Sequence, residues 1–137
     1  MSVRTAYLVF DAYVPAGTAG AVYTYTPSQL NGLLGYFDTL GFQAVVDKVT
    51  LTGSGSLRVY LQHSADNLNF VFNTGTTIPP ATPDISLTSL STTAANVGLG
   101  AYFSWYPLLA NVRLAMQFGE STTAAHIKLF LTQRDLL

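Results

Sequence analysis

The chain has 137 residues, 49% hydrophobic and only 9% charged, with six Lys and Arg against seven Asp and Glu and no cysteine. That balance excludes a basic nucleic-acid surface and a disulfide scaffold. Soluble domains carry about 25% charged residues, so the shortfall predicts a surface covered by copies of the chain or by a partner.

The length fits one domain over residues 1–137, and no long apolar run predicts a membrane-spanning helix. Met1 to Thr5 leads straight into alternation, without the apolar core and small-residue cleavage site of a secretory signal. Period-two alternation predicts strands at Val3–Tyr13, Ala21–Thr26, Val45–Thr52 and Leu57–Ser64, the last paired as a hairpin with Phe70–Phe72. Tyr23 and Tyr25 share one face, and Val45 and Val49 are expected opposite Val46 and Lys48. Thr26-Pro27-Ser28-Gln29 has the capping-box arrangement with proline at the first helical position, which predicts at most one short helix near residues 27–34.

Pro79, Pro80 and Pro83 deny a ladder its donors, so Asn73–Asp84 reads as a loop or extended arm, and Ser86–Asn96 as an edge strand. Val112–Phe118 and Ile127–Thr132 are two further alternating strands. Turns come from Gly53-Ser54-Gly55-Ser56, Ala65-Asp66-Asn67 and Gly119-Glu120-Ser121. Short strands with regular turns predict an all-β fold, an antiparallel β-sandwich of jelly-roll-like type. On its outward faces Tyr60, Phe130, Ala115 and Tyr7 or Phe10 stand where a monomer places Lys, Glu or Thr, which predicts packing on a neighbouring subunit.

No catalytic constellation emerges. His63 ends one predicted strand and His126 starts another, so the two could lie close together. Without cysteine or a paired-histidine motif, they read as strand-end histidines in polar contacts. No serine sits in a Gly-x-Ser-x-Gly elbow, and the seven carboxylates form no recognisable pair for glycoside hydrolysis. Asp38 and Asp66 fall in predicted turns, where Asp caps backbone N–H groups. Gly53-Ser54-Gly55 lacks the third glycine and the helix of a phosphate loop. The expectation is a protein without enzymatic activity, cofactor or metal. Tyr102, Phe103, Trp105 and Tyr106 cluster, and that cluster fits a core, an interface or a sugar-stacking platform.

The segment from Leu57-Arg58-Val59-Tyr60-Leu61 through His63-Ser64-Ala65-Asp66-Asn67-Leu68-Asn69-Phe70 resembles the hairpin of discoidin-type, galactose-binding-like jelly rolls. Those carry an alternating strand followed by Ser-x-Asp-Gly-x-Asn-Trp. Asn67 replaces the glycine and tolerates left-handed geometry, while Phe70 replaces the tryptophan and is expected to anchor the turn on the core. Val112-Arg113-Leu114 resembles a late strand of the same family. The shared motif is structural and carries over no sugar-binding residue.

A second, longer set resembles small uncharacterised proteins encoded among tailed-phage structural genes. It runs in order from Phe37-Asp38-Thr39-Leu40 and Val45-Val46-Asp47-Lys48-Val49, through the hairpin and Ser91-Thr92-Thr93, to Val112-Arg113-Leu114 and Ala125-His126-Ile127-Lys128-Leu129 through Arg134-Asp135. This resemblance implies a virion component assembled in the host cytoplasm, a capsid decoration or cement protein. Such a protein forms a homo-oligomer, expected to be a trimer, and binds a larger shell protein, with no nucleic-acid or membrane partner. Tyr60, Phe130, Tyr102, Phe103, Trp105 and Tyr106 are then the expected interface side chains, with the Asn73–Asp84 loop or the N-terminal strand reaching across. The alternatives are a carbohydrate-binding or receptor-binding β-sandwich module, stacking a glycan on Tyr102, Trp105 and Tyr106, and a tail-tube or baseplate subunit.

Overall fold

Leu57–Ser64 shows how the alternation becomes architecture: Leu57, Val59 and Leu61 are fully buried, while Arg58, between the first two, is exposed. In the computed structural model, residues 4–15, 23–26, 37–50, 55–72, 75–103, 111–119 and 123–135 are described. Among them lie strands β1 (Arg4–Val14), β2 (Thr24–Tyr25), β3 (Phe37–Thr50), β4 (Leu57–Ser64) and β5 (Val71–Phe72). β6 (Ile85–Leu87), β7 (Asn96–Phe103), β8 (Asn111–Phe118) and β9 (Ala124–Asp135) follow. The expected antiparallel sandwich is present. One sheet runs β1-β9-β3-β7; the other runs β2-β8-β4-β5, with β6 also on β4.

Between the sheets, alternate residues of β3 (Phe42, Ala44, Val46) and β9 (Ile127, Leu129, Leu131) meet those of β4 and β8 (Val112, Leu114, Met116). The edge of β8 beyond the short β2 is sealed by one residue. Thr26 donates its N–H to the Leu114 carbonyl at 3.0 Å, and its hydroxyl accepts the Leu114 N–H at 2.8 Å.

Several expectations need correction. β3 starts at Phe37, so Asp38 lies in a strand instead of a turn. Val46 and Val49 are both buried, because the β3–β9 register shifts between Asp47 and Thr50, where Lys48 adopts φ 50°. Such a bulge brings two residues, not normally on one face, toward the core. A second shift, between Leu8 and Phe10 of β1, packs Val9 and Phe10 against the core and leaves Leu8 exposed.

β7 was not expected at all. Its outward side chains are Val97 and Leu99, and the alternate positions opposite the core residues Ala44 and Phe42 are Gly98 and Gly100. Those glycines admit β6. A Cβ on Gly100 would lie 2.6 Å from the Asp84 carbonyl and 2.9 Å from side-chain carbons of Ile85 and Phe42. Tyr102 and Phe103 belong to this strand, opposite Leu40 and Thr39. Of the expected edge strand Ser86–Asn96, only Ile85–Leu87 forms, in register on β4. Residues 75–84 are turns and bends without strand, as the prolines imply. Residues 27–34 of the expected helix, together with Trp105 and Tyr106, lie outside the described residues.

The hairpin turn behaves as its residues dictate. Asp66 accepts the N–H groups of Asn69 at 2.8 Å and Leu68 at 2.9 Å, and Asn67 takes φ 60°. The Asn69 and Leu68 backbone donors, with the Ser64 hydroxyl and the Asn69 amide, hold the Asp66 carboxyl well below the usual carboxylate range.

Candidate functional site

The outward face of the second sheet is built from the residues that alternate with the core. Arg58 on β4 stands directly between Gln117 on β8 and Ser86 on β6. Two positions along, Tyr60 pairs with Ala115, which in turn faces Tyr25. This row is roofed on one side by the proline loop, so that Pro79, Pro80 and Pro83 face Tyr23, Arg58 and Gln117 across an open cleft of about 660 Å³. Ser56, Ser86 and Thr88 add hydroxyls to its lining. Loops held over a rigid sheet are where ligand sites concentrate.

The aromatic end of the cleft is a packed cluster. Tyr23 stacks on Tyr25 with ring centroids 6.1 Å apart, and meets Tyr60 edge-on at 6.2 Å. Tyr60 in turn meets Phe72 edge-on at 5.4 Å. These geometries favour the ring quadrupoles. Tyr60 is only 4% exposed, so its ring is covered by its own chain, by Tyr23 and Phe72, and not by a neighbouring subunit as expected. Burial, with the neighbouring Tyr60 and Tyr25, raises the Tyr23 phenol above its ordinary pKa, against an opposing pull from Arg58. The Tyr23 hydroxyl therefore stays protonated and able to donate at neutral pH.

Beside the cleft, Arg113 is clamped. Its guanidinium lies 3.7 Å from the Tyr25 ring centroid and 3.8 Å from that of Phe70, and its Nε–H donates to Gln62 at 2.8 Å. Phe70 thus anchors its turn on an arginine of the outer face, not on the core. Planar stacking of this kind suits Arg and not Lys.

The histidines fall on different sheets. His63 lies on β4 between Val112 and Val71, where burial lowers its pKa. His126 lies on β9, with Nδ1 3.0 Å from Asp47 and Nε2 2.5 Å from Asp11. Sequence reading missed this Asp–His–Asp clamp, because its three members come from three strands that only the sheet order brings together. Both ring nitrogens are engaged by carboxylates, which leaves neither for a substrate or a metal. No group of three or more potential ligands among the described residues is placed to hold a metal ion. Phe130, on the same outer face as His126, is half-buried between Leu8 and Gln43. Tyr102 and Phe103 lie on β7, in the other sheet from the cleft.

No protein-family model matches the sequence, and no curated protein matches it. Among solved structures, the fold is similar to part of a structure of Clostridium thermocellum endo-1,4-β-D-xylanase 10B that holds its CBM22-1 and GH10 modules, solved with xylohexaose. There the TM-score is 0.63 at 8% identity, over 96% of this chain. The chain spans 24% of that protein's length. It is likewise similar to the CBM22-1 xylan-binding domain of Paenibacillus barcinonensis Xyn10C, with a TM-score of 0.60 and 9% identity over 99% of this chain and 87% of that domain. At such identities the likeness concerns the fold. It agrees with the jelly-roll resemblance of the hairpin.

Proposed function

We propose that the protein is a non-catalytic carbohydrate-binding module that holds a glycan chain in the cleft between the proline loop and the outer face of β4, β6 and β8. One observation carries this reading: the cleft combines a tyrosine, a proline wall, an amide, hydroxyls and a guanidinium along an open channel. Sugar rings offer apolar C–H faces and a rim of hydroxyls, and such a lining matches both. The sandwich likeness to xylan-binding domains supports it further. In this reading Tyr23, at the cleft wall, is the stacking residue. Titration with xylohexaose, followed by isothermal calorimetry, tests the proposal. Tyr23→Ala is expected to weaken binding about tenfold, the worth of one aromatic contact, with the circular dichroism spectrum unchanged. Failure of the parent protein to bind any xylo-, manno- or cello-oligosaccharide, neutral or acid-branched, would rule this function out.

A second reading, a homo-oligomeric structural protein, is favoured by the outer face of the first sheet. Leu8, Phe130, Gln43 and Leu99 form one row across four strands, with Val97 and Tyr13 also exposed beside it. Its occupant would be a second copy, since Asp11 stands opposite Lys128 and offers both signs of charge. If the protein sediments as an oligomer, Phe130→Asp is expected to dissociate it; a variant that still assembles removes this face from the interface.

A further inference from the structure

Resting on the carbohydrate-binding reading above, we propose that the cleft selects an acidic glycan and seats the carboxylate of a uronic acid residue on Arg58. Arg58 occupies the middle of the cleft floor, flanked in register by Gln117 and Ser86, and its side chain is exposed there. The chain has only six basic residues, and one of them stands in this channel. Among the described residues, the ion pairs join His126 to Asp11 and Asp47, on the other sheet, and none engages Arg58. Among the described residues, the cleft lining holds no aspartate or glutamate, and its other polar side chains, among them Ser56, Ser86, Thr88 and Gln117, are neutral.

The chemistry follows from donors and acceptors. A guanidinium has five N–H donors and no acceptor, and its planar fork matches a carboxylate through two parallel bonds. A neutral sugar hydroxyl engages it through one bond without charge assistance. Gln117 and Ser86, on either side of Arg58, can accept from or donate to the hydroxyls of the same ring. The walls restrict water on one side of the pair, which strengthens an ionic contact relative to bulk solvent.

The test compares two probes of similar size on the intact protein: xylotriose bearing one glucuronic acid branch, and unbranched xylotetraose. Calorimetric titration is run at low and at high salt. The acidic sugar is expected to bind at least about tenfold more tightly, as charge-assisted hydrogen bonds do over neutral ones, and its advantage shrinks with added salt. Arg58→Gln brings the two affinities together, and Arg58→Lys keeps part of the difference. Equal affinity of the parent protein for both sugars overturns the acidic selectivity while leaving the carbohydrate-binding function standing. The same holds if Arg58→Gln weakens both sugars alike. Absence of binding to either sugar overturns both.

Discussion

Gly100→Val is expected to lower the unfolding free energy by about 3 kcal/mol, at the upper end of overpacking costs, read as a shift in the urea midpoint at constant slope. The added atoms would enter space already held by the Asp84 carbonyl, Ile85 and Phe42, and one of those neighbours is backbone that cannot rotate away. Gly100→Ala should show a smaller loss of the same sign. Gly41 provides the control. A Cβ there meets nothing closer than the Thr132 carbonyl at 3.8 Å, so Gly41→Ala should leave the midpoint nearly unmoved. Equal stability of the Gly41→Ala and Gly100→Ala proteins would show that β6 does not press on β7. Because β6 also carries Ser86 of the cleft, displacement of β6 by Gly100→Val should weaken glycan binding as well.

Leu114→Ala is expected to cost about 3 kcal/mol, within the range of buried leucine truncations, measured by the same denaturation. Leu114 is 0% exposed and sits on β8, between β2 and β4, so the cavity left behind is enclosed by strands on both sides. Leu99→Ala is the companion experiment. That leucine is 74% exposed on the outer face of β7, and its removal should change stability by less than about 0.5 kcal/mol. A large effect at Leu99 with a small one at Leu114 would invert the inward and outward assignment of the sandwich.

The difference between these two leucines also explains what was legible in the sequence. β4, β8 and β9 could be read because their inward positions are large and apolar and their alternation is uninterrupted, as in Leu57, Val59 and Leu61. β7 reverses the pattern: its apolar side chains point to solvent, and its core-side positions are glycines emptied to admit Ile85. Periodicity reads side chains, so a strand whose contribution is their absence escapes it. The bulges at Val9 and Lys48 shift the phase midway and defeat any single assignment of faces. The cleft was illegible for another reason. Tyr23, Arg58, Gln117 and the prolines come from four separate stretches, and only the sheet order places them together. Trp105, on which sequence reading centred its sugar-stacking alternative, lies outside the described residues, whereas Tyr23 and Tyr60, which meet edge-on at the cleft, come together only through the fold.

The strand order of the first sheet has a consequence for biosynthesis. β1 and β3 do not pair with each other; β9, the last strand of the chain, lies between them and binds both. As the chain leaves the ribosome, the described residues offer β1 no partner until β9, more than a hundred residues later. The pairing of Arg4–Val14 with Ala125–Arg134 closes only when synthesis has passed the final strand. Long-range pairing of this kind is slow and leaves strand edges open meanwhile. In a chain with so few charges, those edges need protection, so a nascent protein stalled before β9 is the form that chaperones would have to hold.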